Sequence, residues 1–430
     1  MSVPLVVAAL ALGACNSSSD ADSTVGRIDD GSKAPSAITA DPPLAFDTTA
    51  SVPLPATALQ SNLARQVTSR FTTLRDRTAY IVEPATLRAI DVLTGKQKWQ
   101  AGIDGTPSDP NAQRGPFVSS AGPRPPMLSD DGKTVVVAVP IAEPGKGTTP
   151  GHQAISVLAV DADTGKTSWS TKVAVSGAVS GGDRTGSVTS VVAVTDSAVV
   201  VAYRNDAATT VAIDPSNQKI LWQRDEYEAG AVSGDIVVGT DSKVAENSSM
   251  VQATALDLIK GEQRWTAATR ASQAAVIPAN PALIVVDRID YGTGDAALLF
   301  LDPKTGQERA SFPINRPFGL GSSYGPCLYD QRSILICFPS DYVTAFDATN
   351  GKWLQWELPD QTANRVAPRV TTAWHGMVYG RTSNGPVVLD AATGKDQSTA
   401  PGAAPYWVSE YAGIGIDDQG APVAFGVKKQ

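Results

Sequence analysis

From about residue 78 onward, short apolar runs alternate with clusters of turn-forming residues. Nowhere after residue 20 does an apolar spacing of three and four persist long enough to make an amphipathic helix. Runs at 134–139, 190–194, 198–203, 235–239, 283–286 and 377–379 are rich in Val, Ile, Ala and Thr and predict β-strands. Seven of the intervening turns share one design: an apolar residue, an Asp, three further residues and a Gly, with a Trp eight positions after the Asp in the fuller copies. The copies are Asp91-Gly95-Trp99, Asp161-Gly165-Trp169, Asp214 with Trp222, Asp257-Gly261-Trp265, Asp302-Gly306, Asp347-Gly351 and Asp390-Gly394. The Asp-to-Asp intervals are 70, 53, 43, 45, 45 and 43.

A period near 44 residues is that of a propeller blade with four strands. Each part of the unit has a mechanical reading. The Asp carboxylate accepts backbone N–H bonds two or three residues on. The Gly provides a left-handed turn residue without a Cβ clash, and the Trp ring packs between blades while its N–H seeks a carbonyl. Some copies are degenerate. Gln218 stands at the Gly position of the third, so Asn217 is expected to take the left-handed conformation there. Ala310 and Ser398 replace the Trp in the fifth and seventh, and Trp353 and Trp356 straddle its position in the sixth. After the excess over 44 in the first two intervals is set aside, the 387 residues from Leu44 onward divide into eight units of 44. The expected fold is therefore all-β, an eight-bladed β-propeller, with seven blades as the alternative count. Three strands at 405–410, 412–416 and 422–427 lack a fourth, and the segment 44–54 is expected to supply it and close the ring. The Pro/Gly-rich stretches 102–126 and 140–153 read as surface loops on the first two blades, with Arg114, Phe117 and Arg124 their most distinctive side chains.

Residues 3–11 form an apolar run too short to span a bilayer but suited to a signal peptide. It leads into Leu12-Gly13-Ala14-Cys15, which resembles a bacterial lipobox. That resemblance implies a cleaved signal peptide over 1–14, a diacylated Cys15, a flexible tether over 15–43 and the propeller over 44–430. No Lys or Arg precedes the apolar run, which suggests a start upstream of Met1. Cys327 and Cys337 flank a polar turn centred on residue 332, a spacing that places them opposite each other across a hairpin. A disulfide is expected, with two buried free thiols as the alternative.

Charge and chemistry narrow the function classes. The formal charge is −8 and basic residues are dispersed, which argues against a nucleic-acid footprint and against adsorption on anionic lipid. The two histidines, His152 and His375, lie far apart without clustered ligands, so no metal site is expected. Asp161-Ala162-Asp163-Thr164-Gly165 has the start of a calcium loop but lacks the later bidentate acid. The acid pairs Asp29-Asp30, Asp130-Asp131 and Asp417-Asp418 sit in polar turns.

The unit Leu/Ile-Asp-x-x-Thr-Gly-Lys-x-x-Trp resembles the PQQ-type propeller repeat over roughly residues 78–427. With its lipobox, the chain is similar to the non-catalytic lipoproteins of that superfamily, among them the one that serves outer-membrane-barrel assembly. The quinoprotein dehydrogenases of the superfamily use an adjacent Cys-Cys pair, whereas Cys327 and Cys337 are ten residues apart. The resemblance thus implies no PQQ cofactor and no enzymatic activity. It implies a membrane-anchored extracytoplasmic module, on the outer face of the cytoplasmic membrane or elsewhere in the cell envelope, that binds or scaffolds a protein or envelope partner. The alternative is a quinone-dependent dehydrogenase or glycan-active enzyme using the central funnel.

Overall fold

Each repeat folds as an antiparallel four-stranded meander because its apolar runs are about one strand long and its turns cannot continue a strand. The computed structural model describes residues 38–61, 67–108, 122–178, 187–205, 207–243, 250–313, 326–339 and 342–429, and every regular element among them is a strand. Cys15, the expected tether up to residue 37, Arg114 and Phe117 lie outside these residues.

Blade 1 comprises Thr72–Arg75, Thr78–Glu83, Thr86–Asp91 and Gln97–Gly102. Six more blades repeat the order, their first strands being Met127–Leu128, Val188–Val194, Tyr227–Ser233, Gln273–Ile277, Cys327–Tyr329 and Arg369–Trp374. Blade 8 is composite. Trp407–Val408, Ala412–Ile416 and Pro422–Val427 come from one end of the chain, and Phe46–Pro53 comes from the other. Phe46 pairs with Val427 and Pro53 with Val423, with an irregularity between Asp47 and Val52. The ring therefore has eight blades and closes without a covalent link, as the strand count in the sequence implied.

The side-chain alternation of the middle strands serves two neighbours at once. In blade 2, Val135, Val137, Val139 and Ile141 pack against Tyr80, Leu87 and Trp99 of blade 1. Val136 and Ala138, on the opposite face, pack against Val199, Val201 and Tyr203 of blade 3. Strands buried on both faces read as continuous apolar runs, whereas the outermost strands alternate. Gln97–Gly102 shows this, with Trp99 and Ala101 buried between exposed neighbours. The same principle seals the ring, where Ala412, Ile414 and Ala424 of blade 8 meet Ala79, Ile81 and Ile90 of blade 1.

Three expectations need correction. The stretch 140–153 is a loop only over 144–151, and its two ends are strand: Thr134–Glu143 and His152–Asp161 pair through all ten residues. Pro140 is tolerated because its carbonyl accepts from Ser108 N at 3.0 Å, so its missing N–H faces the side where the flanking strand Thr106–Pro107 ends. Part of 102–126 turns inward rather than decorating the surface. Gly122–Pro123 pairs in parallel with Val188 and Thr189 of blade 3, and Arg124 N donates to Thr189 O. Finally, residues 38–43, expected in the tether, are held by the ring: Ala40 N donates to Glu410 O at 2.9 Å, and Tyr379 Oη donates to Pro43 O at 2.9 Å.

In an antiparallel four-strand meander, the first and third turns share one end and the second turn and blade-to-blade links share the other. All seven Asp-Gly turns therefore lie at one end, called here the motif end.

Candidate functional site

The motif residues form the joints between blades. Asp91 Oδ1 accepts from Leu93 N and Thr94 N, both at 3.0 Å. Asp161 accepts from Thr164 N, Asp214 from Ser216 N and Asp257 from Ile259 N. Asp302 accepts from Lys304 N, Asp347 from Thr349 N and Asp390 from Thr393 N. Bonds from the Thr164 and Ser216 side chains and backbones hold the Asp161 and Asp214 carboxyls below the usual range. For Asp257 the leading cause is the Lys260 N–H, and for Asp302 it is the Arg309 guanidinium. These carboxylates are occupied by their own turns.

Gly95, Gly165, Gly261, Gly306, Gly351 and Gly394 all have φ between 67° and 74°. At Gly165 the reason is double, because a Cβ there would also lie 2.4 Å from the Trp99 ring of the preceding blade. Trp99 Nε1 completes the joint by donating to Ala162 O at 2.9 Å. Trp222 donates to Leu258 O at 2.9 Å and Trp265 to Pro303 O at 2.7 Å, beneath Gly261 and Gly306 respectively. Trp169 is half-buried between blades 2 and 3.

The degenerate copies solve the joint differently. Gln218 itself takes the left-handed position, with φ 61°, and not Asn217. The Asn217 side chain instead donates to Asp214 Oδ2 at 2.7 Å, standing in for a threonine hydroxyl. In the sixth copy a bulge at Gln355, φ 61°, brings Trp356 into place; its Nε1 donates to Ala391 O at 3.1 Å beneath Gly394. Trp353 points outward and donates to Thr344 Oγ1 of its own blade. Where Ala310 replaces Trp, the ring of Phe300 fills the space under Gly351. Cys327 and Cys337 are paired across their hairpin and joined as a disulfide.

At the motif end the first strands converge on a central cavity of about 840 Å³. Its rim is assembled from first turns: Asp76 of blade 1, Gln331 of blade 6, His375 of blade 7 and Glu410 of blade 8. Trp374 and Trp407 form aromatic walls, and Arg75 and Arg124 bring positive charge from blade 1 and the inserted segment. The entering chain crosses this mouth. Asp41 accepts from Arg332 Nη2 at 2.8 Å and pairs with His375 Nδ1. His375 stacks on Trp374 with ring centroids 3.8 Å apart. Asp330 braces the rim from below. It is fully buried, its Oδ1 accepts from the N–H groups of Arg332, Ser333 and Ile334, and its Oδ2 accepts from Gly376 N. Burial, with Asp76 and Asp41 nearby, pushes the Glu410 carboxyl up.

Of the side chains singled out in the sequence, Arg124 and His375 reach this cavity. His152 begins an outer part of blade 2, opposite Glu143. Asp41, Asp76, Trp374, Trp407 and Glu410 were not anticipated. They come from the two ends of the chain, and the only local cue was the adjacent Trp374-His375 pair.

A ring of Asp-Gly-Trp joints around a mixed aromatic and charged mouth is the setting for comparison with known proteins. The family described as outer membrane protein assembly factor BamB matches residues 153–400, more than half of the chain. The chain belongs to that family. Among solved structures, BamB from Moraxella catarrhalis is 14% identical, covering 89% of this chain and 99% of its own, with a TM-score of 0.46. A europium-containing methanol dehydrogenase is 12% identical, with coverage of 87% and 83% and a TM-score of 0.48. The Dos1 propeller is 10% identical, with coverage of 91% and 95% and a TM-score of 0.46. No curated protein matches the sequence.

Proposed function

We propose that this chain is an exported lipoprotein, diacylated at Cys15, whose propeller binds a protein or cell-envelope partner and performs no catalysis. The observation that carries the reading is the mouth at the motif end. Trp374, Trp407, Arg75 and Arg124 surround one concave opening on a rigid ring, and Trp and Arg are the residue types that dominate binding hot spots. The family's description as an assembly factor agrees with a binding role. The motif carboxylates are held by their turns, and the two propeller cysteines are joined to each other across a hairpin rather than as an adjacent pair, which supports a reading without quinone chemistry.

Two measurements test the parts separately. A photoreactive residue at Arg75, on the mouth, should give a discrete adduct in cells, while one at Ser383, on the opposite end, should not. Adducts from Ser383 alone would assign binding to the wrong face, and adducts from neither would reject the scaffold role. Metabolic labelling with a fatty-acid probe should mark the wild type and spare Cys15→Ala; equal labelling of both rejects the anchor.

A further inference from the structure

At the end of the ring opposite the motif turns, blades 7 and 8 enclose a second recess of about 380 Å³. Two exposed side chains of its lining make an arrangement that antiparallel sheets ordinarily avoid. Arg369 and Arg381 are directly opposite each other in the first two strands of blade 7, and like charges so placed repel. Both line the recess, and neither has an ion pair or side-chain hydrogen bond among the described residues. A third guanidinium, outside the lining, contacts two residues of it. Arg70 donates to Thr371 O at 2.8 Å and lies 5.6 Å from the Tyr406 ring centroid, again without a carboxylate partner among the described residues. Burial pushes its pKa down, as expected for a cation lacking a counter-charge.

Two acids also line the recess, but neither forms an ion pair with these arginines. Asp417 accepts from the N–H groups of Gln419 and Ala421 in its own turn, and Asp418 forms no ion pair with either arginine. Thr48 and Ser51, from the closing strand, line the same space. Two unpaired planar guanidinium groups beside hydroxyl donors and an aromatic wall suit a multi-oxygen anion, which they can grip through several charge-assisted bonds.

We propose that this recess binds the oxyanion group, phosphate in type, of a small soluble ligand between Arg369 and Arg381. The site lies apart from the mouth and its test does not depend on the scaffold reading. The probe is inorganic phosphate, titrated calorimetrically into the whole protein at constant ionic strength. Wild type should bind, and Arg369→Gln and Arg381→Gln should each weaken binding about tenfold or more, the loss expected for charge-assisted bonds. Because each variant also removes a repulsion, its melting temperature without phosphate should equal or exceed that of wild type. Arg381→Glu guards against misfolding as an explanation: it creates a cross-strand ion pair with Arg369, so it should fold fully and lose phosphate binding. Absence of binding to wild type, or equal binding by wild type and Arg381→Glu, overturns the proposal. Flotation with phosphatidylglycerol vesicles that requires both arginines, without heat from free phosphate, overturns the soluble-ligand assignment in favour of a lipid headgroup.

Discussion

The joint between blades 1 and 2 offers a prediction in which the two parts of the repeat report on each other. Trp99 is 7% exposed. A buried aromatic hides about 150–250 Å², worth about 4–6 kcal/mol at about 25 cal/mol per Å², and Trp-to-Ala changes in cores cost about 3–5 kcal/mol. Trp99→Ala should therefore cost about 4 kcal/mol. Gly165→Ala faces two separate penalties. A φ of 69° places an L-residue in the left-handed region, at about 1–2 kcal/mol. The new methyl would also lie 2.4 Å from the Trp99 ring, and such overpacking costs about 1–3 kcal/mol. Simple addition of the single variants gives about 7 kcal/mol. In the double variant the missing indole makes room for the methyl, so only the backbone penalty survives and the total should be about 5–6 kcal/mol. The cycle should thus be sub-additive by about 2 kcal/mol. It is measured by guanidinium unfolding followed by far-ultraviolet circular dichroism, at unchanged m. Trp99→Phe, which keeps most of the packing but loses the N–H bond to Ala162 O, should cost about 1 kcal/mol from that bond. Additivity within about 0.5 kcal/mol would show that ring and turn do not compete for one space, and the account of the repeat would fail.

Asp330→Ala should destabilise by about 3–5 kcal/mol, because four N–H groups lose a buried acceptor; hydrogen exchange should accelerate at residues 332–334 and 376. Acidification should lower the melting temperature below about pH 4, where unfolded carboxylates begin to protonate. The lowered carboxyls of Asp161, Asp214, Asp257 and Asp302 stabilise the fold above that pH, and the contribution disappears as pH falls through their folded values; Asp131, held at about 2 chiefly by the Lys133 N–H, is among the last to protonate. Glu410 acts in the opposite sense: its raised carboxyl opposes folding when charged and is relieved as pH falls toward the ordinary value, so Glu410→Gln should raise the melting temperature at neutral pH. Replacing both Cys327 and Cys337 by Ala opens a loop with a sequence separation of 10, which should cost about 2–3 kcal/mol by chain entropy, read from the denaturation midpoint.

Much of the ring was legible because its determinants are local and repeated. An Asp, a left-handed residue and an indole at fixed offsets define a turn and a joint without reference to the rest of the chain. Closure by 44–54 was legible because three strands demanded a fourth. Misreadings arose where equivalent geometry is reached by other residues. Gln218 adopts a conformation more usual for Asn or Gly, and a bulge at Gln355 shifts the indole by one position to Trp356. The Pro/Gly content of 140–153 read as loop, yet Pro140 continues a strand because its N faces away from its pairing partner. The mouth was nearly invisible for a different reason. Asp41 and His375 are 334 residues apart in sequence, and each is an ordinary turn residue until closure sets them side by side.

The composite eighth blade constrains how such a chain can mature. Phe46–Pro53 is synthesised long before Pro422–Val427, its pairing partner, so throughout translation the early strand must wait with its backbone amides unmatched. Long-range pairing of this kind is slow, and a lone strand edge invites association with other chains. Seven sheets can assemble as they emerge, but the circle is sealed only when the final strand arrives. Quality control that recognises an unsealed circle would therefore detect truncation and delayed synthesis alike, through the same pair of raw edges.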